Sequence, residues 1–357
     1  MRRRDFLSLG CAAALTHFGG CAKRNSRWQA AITTLEERIP RLMEEFHVPG
    51  LSLALIEDAQ VIWHRPFGFK DSAARTLVDD GTIFEAASMS KPVFAYAVLK
   101  LCERGVMNLD TPLTRYTSER PLKDDPRLDL ITARHILSHT GGFQNWREED
   151  HKPLSIHFTP GEKWMYSGEG YAYLLSVVTH LTGMSFEDYM QKNILDPFGM
   201  NSSGYVWNDM MERRAARPHD AQGVPMNNKK STHDSVARYG SAGALQTTPT
   251  DYARFQLEIL APKPQDNFRL GSGSLKEMVR PQIKTGDPAD SSWSLGWNIV
   301  TKPDGNIVNH GGDNDGFHCW NLMSLERKSG FVIMNNGDGG SPMLIKLITG
   351  DELTPLL

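Results

Sequence analysis

SMSKPVFAYAVLKLCERG, residues 88–105, is the stretch from which the fold of this chain is inferred. Apolar residues recur through it at helical spacing and its charges collect near the end, as is typical of a mostly buried helix. Pro92 fits only in the first turn of such a helix, so the helix begins within a few residues of Ser88. Ser88 and Lys91 then share one face, and the lysine amine can reach the serine hydroxyl.

A serine and a lysine at this spacing indicate nucleophilic catalysis. A free serine hydroxyl is a weak nucleophile and needs a base to take its proton. Lys91 can be that base if the site lowers its pKa, and the positive end of a helix disfavours a protonated amine. The same end suits a developing oxyanion. The alternative is a serine that merely begins a helix, beside an exposed lysine, because a Ser-x-x-Lys match arises by chance about once in a chain this long.

Composition limits the other possibilities. The chain has 357 residues, of which 40% are hydrophobic and 23% charged, enough for one large domain or two joined lobes. The formal net charge is −3, and there is no long run of one sign. Without a basic stripe or a zinc-finger spacing, nothing in the sequence indicates a nucleic-acid partner.

The first residues resemble an export signal. MRRRDFL, residues 1–7, is close to a twin-arginine motif, and the apolar stretch at 6–18 is too short for a permanent membrane anchor. FGGC, residues 18–21, resembles a lipoprotein processing site with Cys21 as the lipid-bearing residue. We therefore expect residues 1–20 to be a signal peptide and the exported protein to lie at the periplasmic side of a bacterial membrane, attached through lipid alone. A plain secretory leader is the alternative.

Strand-like segments lie toward both ends of the chain and helical ones between them. Residues 51–56 and 61–67 form a predicted hairpin, and residues 107–257 are helical and loop-rich. We predict an α+β fold, with one antiparallel sheet built from both chain ends and flanked by helices, and with an inserted, mostly helical lobe. In this prediction residues 28–357 form a single domain after a polar tether at 21–27. Other strand candidates are 293–301, 306–310, 316–324 and 331–335, and the helix candidates are 28–47, 134–138, 171–182, 186–194 and 341–349.

Two further segments carry candidate functional groups. Tyr166 follows turn-forming residues at 159–162 and precedes a helix candidate. A phenol becomes a usable base when a cation such as Lys91 stabilises its phenolate, so Tyr166 is a candidate proton shuttle. NHGGDNDGF, residues 309–317, lies between two strand candidates, where its polar groups would face a substrate lying along the sheet.

Taken in order, these motifs resemble the serine β-lactamase and penicillin-recognising superfamily. Within it, the chain is most similar to the class C β-lactamase-related group, which includes esterases and D-amino-acid peptidases. The resemblance runs from about residue 30 to the end, and the ordered set is specific although no single motif is. The motifs are SMSK (88–91), HTGGF (139–143), PGEKWMYSGEGY (160–171), LDPFGM (195–200), AGALQTTPTDYARF (242–255), SLGW (294–297) and His310-Gly311-Gly312.

The resemblance implies a catalytic role for three residues and no cofactor. Ser88 matches the acylated nucleophile of the family, and Lys91 matches the partner that takes or relays its proton. Tyr166 matches the tyrosine of a Tyr-(Ser/Ala)-Asn motif, which acts as general base and later as acid toward the leaving group.

The resemblance also implies a substrate-binding strand. His310, Gly311 and Gly312 stand where many members have Lys-Thr-Gly. The implied oxyanion hole consists of the backbone N–H groups of Ser88 and Asp313.

Two departures from the family pattern bear on the substrate. Gly168 stands where the Tyr-Ser-Asn motif has its asparagine, so the amide that helps to bind the substrate carbonyl is missing, and nothing in the sequence shows that Glu169 replaces it. His310 replaces a lysine, so a fixed positive charge for a β-lactam carboxylate is not assured. Both changes argue against an efficient β-lactamase and are compatible with an ester or peptide hydrolase.

Three functions therefore follow from the sequence. The first is a serine hydrolase that cleaves an ester or amide of a small molecule or short peptide through an acyl-Ser88 intermediate. The second is a D,D-peptidase or weak β-lactamase acting on peptidoglycan-like substrates. The third, from another class, is a catalytically idle binding lipoprotein, which only Gly168 favours.

Several other residues have ordinary structural explanations. His135 and His139 are four residues apart, but no third ligand accompanies them, so we expect structural histidines and no metal site. Cys102 and Cys319 form a disulfide or remain buried thiols, and the sequence leaves both open. The sequence leaves two roles open for four tryptophans, which either line a cleft or pack in the core: Trp146, Trp164, Trp293 and Trp297.

Overall fold

The computed structural model describes residues 21–147, 153–286, 290–303, 305–350 and 353, and only the backbone of residues 21–27. The predicted signal peptide lies outside the described residues, and lipid attachment at Cys21 stays a prediction. The first helix, α1, spans Cys21–Glu45, so the backbone of residues 21–27, the predicted polar tether, is helical. None of the helices in this described part is long and apolar enough to cross a membrane.

An antiparallel sheet forms the centre of the fold. Its strands are β1 (Gly50–Glu57), β2 (Gln60–Asp71), β3 (Thr76–Leu77), β6 (Ile283–Lys284), β7 (Ser291–Trp293), β8 (Asn298–Lys302), β9 (Gly305–Asn314), β10 (Phe317–Ser324) and β11 (Ser329–Asn335), and a separate ribbon joins β4 (Phe84–Glu85) to β5 (Gln246–Thr247). In the described part of the chain the nine strands of the sheet follow the order β3-β2-β1-β11-β10-β9-β8-β7-β6. The first and last strands pair in the middle, with Leu53 opposite Ile333, so both chain ends build one sheet, as predicted.

The two central strands are buried on both faces because their side chains alternate. Leu53 of β1 and Ile333 of β11 belong to one apolar cluster, together with side chains of α1 and of α11 (Gly340–Ile348). Ala54 of β1 and Val332 of β11 belong to a second, larger cluster shared with the helical lobe. The terminal helices therefore cover one face of the sheet, and the lobe packs against the other.

The helix that begins within the SMSK motif lies at the centre of this larger cluster. A 3-10 turn at Ala87–Met89 leads into α2 (Ser90–Glu103), which is buried from Ser90 to Leu101. The other helices are α3 (Ala133–Leu137), α4 (Gly168–Thr182), α5 (Phe186–Met190), α6 (Asp196–Phe198), α7 (Asp209–Arg214), α8 (His233–Gly243), α9 (Pro249–Leu260) and α10 (Ser272–Val279), with 3-10 turns at Leu113–Arg115 and Pro126–Leu130 and a π turn at Gln191–Leu195.

One predicted strand is interrupted. The expected strand at 293–301 divides into β7 and β8 around a turn in which the Ser294 N–H donates to the Trp297 carbonyl at 2.8 Å. Gly296 has a φ of 90°. A Cβ there would lie 2.8 Å from the Ala95 side chain, so glycine permits both the turn and its contact with α2.

Candidate active site

Ser88 lies in the tight turn that opens α2. Ala87, just before it, has a φ of 45°, a left-handed conformation that non-glycine residues rarely adopt. Ser90 fixes this turn, because its hydroxyl donates to the Ala87 carbonyl at 2.6 Å and accepts from the Leu245 N–H at 3.0 Å. Ser88 remains partly exposed, so a substrate can approach its hydroxyl.

The amine of Lys91 is buried beside that hydroxyl. Its Nζ lies 3.0 Å from the Ser88 Oγ and donates to the Ala242 carbonyl at 2.7 Å, and the side chain is 1% exposed. The ring centroids of Tyr166 and Tyr171 lie 4.8 and 5.6 Å from Nζ. Within the described residues no carboxylate pairs with it. Burial therefore lowers the pKa of Lys91 to about 7, and a neutral amine is available near neutral pH.

Tyr166 is held by the start of α4. The Ser167 hydroxyl caps this helix by accepting from the Gly170 N–H at 2.9 Å, and it donates to the Gln144 carbonyl at 2.8 Å. Burial raises the pKa of Tyr166, and its hydrogen bond to Ser88 offsets only part of that rise. Tyr166 is thus a phenol in the free protein. The expected phenolate, stabilised by a lysine cation, does not fit this arrangement, because Lys91 itself loses its proton more readily than usual.

Two histidines flank Tyr166 and both are neutral. His139, with a ring centroid 4.2 Å from that of Tyr166, accepts the Ser167 N–H at Nδ1 over 3.1 Å. Burial lowers the pKa of His139 well below its usual value, and nearby Lys91 lowers it further. His310 donates from Nδ1 to the Gly311 carbonyl at 2.5 Å, and burial followed by Lys91 lowers the pKa of His310 to about 3. The position at which the resemblance implies a lysine therefore carries no charge here.

His139 lies directly after the end of α3, as the sequence predicted. Its ring also packs against that of Tyr166, a contact that the sequence analysis did not predict. The signal available was its position in the HTGGF motif. His135 lies elsewhere, with Nδ1 3.1 Å from the Leu130 carbonyl, and the residues described contain no cluster of three or more metal-ligating side chains.

The backbone of β9 passes directly behind Ser88. A Cβ on Gly312 would lie 2.4 Å from the Ala86 carbonyl oxygen and 3.1 Å from the Ser88 nitrogen, so only glycine allows this approach. Pairing of β9 with β8 ends at Asn309, which leaves the following residues open along that edge. Asp313 is next in the strand, and its carboxylate contacts the His318 Nδ1 at 2.5 Å. These positions are compatible with the oxyanion hole implied by the resemblance, which stays a prediction.

Gly168 leaves a space that an aromatic ring fills. A Cβ on Gly168 would lie 2.2 to 2.5 Å from three atoms of the Trp146 ring. The Gly168 N–H donates to the Asn145 Oδ1 at 3.0 Å. Glu169 does not replace the missing amide, because its carboxylate accepts two hydrogen bonds from the Arg147 guanidinium at 2.9 and 2.8 Å.

A cleft of about 540 Å³ adjoins these residues. Its lining includes Trp146, Tyr239, Gly243, Glu85, Asp313 and Asn314.

The structure resolves the alternatives left open for the cysteines and tryptophans. Cys102 and Cys319 are free thiols, and the Cys319 Sγ lies 3.1 Å from the Ala86 carbonyl oxygen. Trp297 is fully buried and stacks on Phe255. Trp293 instead meets the rings of His139 and His310 edge-on, with centroids 4.9 and 5.4 Å away, and Trp164 packs beside it.

Comparison with known proteins places this chain in a family. The β-lactamase family model matches residues 35–352. The chain therefore belongs to the β-lactamase family, which confirms the resemblance inferred from its motifs and supports a serine-hydrolase type of activity.

Individual relatives are distant. The chain is 25% identical over 337 residues to penicillin-binding protein 4* of Bacillus subtilis (strain 168), covering 85% of this chain and 71% of that protein. It is 23% identical over 318 residues to protein flp of Staphylococcus aureus (strain MRSA252), covering 82% of this chain but only 60% of the relative. A crystal structure of a β-lactamase/D-alanine carboxypeptidase from Pseudomonas syringae matches with a TM-score of 0.77 at 19% identity, over 91% of this chain and 99% of that one. This match confirms the α+β fold.

Lys91→Met is expected to stabilise the protein while removing the amine. The folded pKa of Lys91, about 7, lies below its ordinary value of 10.5, so unfolding takes up a proton between these values and the wild type gains stability as pH rises through that window. The variant should exceed the wild type by about 1–3 kcal/mol in unfolding free energy at pH 6, with a smaller gap at pH 9.5, as measured by urea denaturation.

Lys100→Met is the matched control on the same helix. Lys100 is also buried, but its amine pairs with the Glu103 carboxylate at 3.0 Å and with the Asp266 and Arg269 carbonyls. Its removal should destabilise the protein at both pH values. A Lys91→Met variant less stable than the wild type at pH 6 would contradict this description of the site.

Gly312→Ala is expected to disrupt the approach of β9 to Ser88. The added methyl group meets the backbone carbonyl of Ala86, which has no flexible end to move aside. We expect the rate of Ser88 labelling by a fluorophosphonate to fall at least about 100-fold, the loss seen when an oxyanion-hole donor is displaced. Gly273→Ala, in α10 with open space around the new methyl group, should label like the wild type. Equal labelling of both variants would refute the role given to Gly312.

Proposed function

We propose that this protein is a serine hydrolase that cleaves carboxylic esters or amides through an acyl-Ser88 intermediate. The observation that carries the proposal is the 3.0 Å contact between the Ser88 hydroxyl and a buried lysine amine that pairs with no carboxylate in the described part of the chain. A base must be unprotonated to accept the serine proton, and burial provides that state near neutral pH.

The proposed reaction has two halves. In the first, neutral Lys91 takes the Ser88 proton while Oγ attacks the substrate carbonyl, and the resulting oxyanion faces the backbone N–H groups of Ser88 and Asp313. The bond to the leaving group then breaks, and the proton passes from Lys91 through the phenol of Tyr166 to the departing oxygen or nitrogen. In the second half, water gives a proton to the same groups and attacks the acyl carbon, which releases the acid and restores the Ser88 hydroxyl.

The charges around the site favour esters over β-lactams. Neutral His310 gives no fixed positive charge for the carboxylate that β-lactams carry. Glycine at position 168 removes the amide that would bind the substrate carbonyl, and an indole ring fills its place.

A peptidase acting on cell-wall material is the second candidate. It rests on the relatives, which include a penicillin-binding protein and a structure named as a β-lactamase/D-alanine carboxypeptidase. An idle binding protein is the third candidate, and the state of Lys91 argues against it. We further propose that the protein is exported and held at a membrane by lipid on Cys21, which rests on the sequence of its first 21 residues.

One experiment separates these candidates. The purified protein is exposed to a fluorophosphonate and analysed by mass spectrometry, and its turnover of p-nitrophenyl acetate, nitrocefin and a D-alanyl-D-alanine peptide is measured in parallel. We expect an adduct on the Ser88 peptide and ester turnover faster than that of the other two substrates. Ser88→Ala, which keeps the methylene but loses the nucleophile, is the control and should neither label nor turn over.

The possible failures have separate meanings. Faster turnover of the peptide or of nitrocefin would favour the second candidate. A Ser88→Ala variant that labels as well as the wild type would contradict the acyl-Ser88 intermediate, and a wild type that neither labels nor turns over would favour the idle protein.

A further inference from the structure

The end of helix α3 has a histidine where glycine is the usual residue. The Thr140 N–H donates to the His135 carbonyl at 2.7 Å. The His139 N–H donates to the Ile136 carbonyl at 3.0 Å. This pair of bonds is the Schellman motif, in which the residue at the place of His139 is left-handed and most often glycine. His139 has a φ of 55°, which glycine would adopt without steric cost, so the end of the helix gives no reason for a side chain here.

His139 holds the chain on both sides of Tyr166. Its carbonyl accepts from the Met165 N–H at 2.8 Å, and its Nδ1 accepts from the Ser167 N–H at 3.1 Å. Residues 164–167 belong to no helix or strand, so these two bonds fix backbone that regular secondary structure does not fix. The imidazole also packs against the phenol ring of Tyr166, with ring centroids 4.2 Å apart.

The bond to Nδ1 requires a neutral imidazole. The side chain of His139 is 1% exposed, and this burial lowers its pKa well below the ordinary value. Nearby Lys91 lowers that pKa further, so Nδ1 keeps the lone pair that accepts the Ser167 N–H.

The place of the Tyr166 hydroxyl matters for the reaction proposed above. A general acid must lie within hydrogen-bond reach of the atom that it protonates. A misplacement of about 1 Å can cost roughly 100-fold in rate. A residue that fixes the backbone on both sides of Tyr166 and contacts its ring therefore affects the step in which the phenol gives up its proton.

From this geometry we propose that His139 is a positioning residue, which holds the phenol of Tyr166 where it protonates the leaving group. This inference rests on the proposed function and adds a residue to the first half of the reaction. As the bond between the acyl carbon and the leaving oxygen breaks, that oxygen takes the phenol proton. Tyr166 in turn takes the proton that Lys91 received from Ser88. His139 exchanges no proton in these steps and acts through Tyr166 alone.

The test varies the leaving group while the acyl group stays constant. p-Nitrophenyl acetate and ethyl acetate form the same acetyl-enzyme, but p-nitrophenolate leaves without a proton whereas ethoxide needs one. We therefore measure kcat/KM for both esters and divide the value for p-nitrophenyl acetate by that for ethyl acetate. His139→Gly suits the left-handed backbone but removes the acceptor and the ring. It should raise this ratio at least about tenfold, which is part of the roughly 100-fold or more that a positioned general acid contributes.

His139→Asn is the matched variant. Asparagine also tolerates a left-handed backbone, and its Oδ1 is as many bonds from the backbone as the Nδ1 of histidine. The variant therefore keeps an acceptor for the Ser167 N–H, and its ratio should stay close to that of the wild type. Tyr166→Phe should raise the ratio, and adding His139→Gly to it should change the ratio no further, because both substitutions act through one phenol.

Fluorophosphonate labelling counts the active sites of each protein, since fluoride leaves without a proton. If the wild type does not label, the proposed function fails. If it labels, the role of His139 alone is refuted when His139→Gly slows both esters equally or when its effect adds to that of Tyr166→Phe. A His139→Gly variant that does not fold leaves the decision to His139→Asn, and a raised ratio there refutes the role. An unchanged ratio in Tyr166→Phe refutes protonation by the phenol, and the role of His139 with it.

Discussion

The site depends on the burial of the Lys91 amine, which has no carboxylate partner among the residues that the structure describes. Removing an ammonium group from water is costly unless an opposite charge accompanies it, and among the described residues the amine contacts a hydroxyl, a backbone carbonyl and two tyrosine rings but no carboxylate. Losing the proton therefore costs the folded protein less free energy than keeping an unpaired ammonium group buried. The same helix shows the contrast, because Lys100 is buried with Glu103 and two carbonyls.

The other titratable side chains close to Lys91 are also uncharged. Two imidazoles and a phenol lie around the amine, and burial keeps each of them uncharged. Burial thus shifts the pKa of each of these groups in the direction that favours its neutral form. The part of strand β9 that approaches the Ser88 nitrogen is the backbone of Gly312, which carries no charge. The site is thus suited to neutral substrates whose charge develops only during the reaction.

The sequence predicted the parts of the fold that depend on local patterns. The β1–β2 hairpin, the pairing of terminal strands in one sheet and the helix after Ser88 all follow from periodicity and turn residues. Family membership followed from the order of motifs.

The remaining features depend on contacts between distant segments. Trp146 fills the space above Gly168, and His139 packs on Tyr166, yet the partners lie more than twenty positions apart in the sequence in both cases. The break between β7 and β8 depends on a glycine that approaches Ala95 of another helix. The periodicity of apolar residues along the chain does not predict contacts of this kind.

The central claim is that the amine of Lys91 is neutral near physiological pH, and nuclear magnetic resonance tests it directly. The ¹³Cε resonance of Lys91, identified by its loss in Lys91→Met, is followed in the free protein from pH 5 to pH 11. A midpoint near 7 agrees with the buried, unpaired amine. A resonance that titrates only near 10, as for a solvated lysine, would contradict the account.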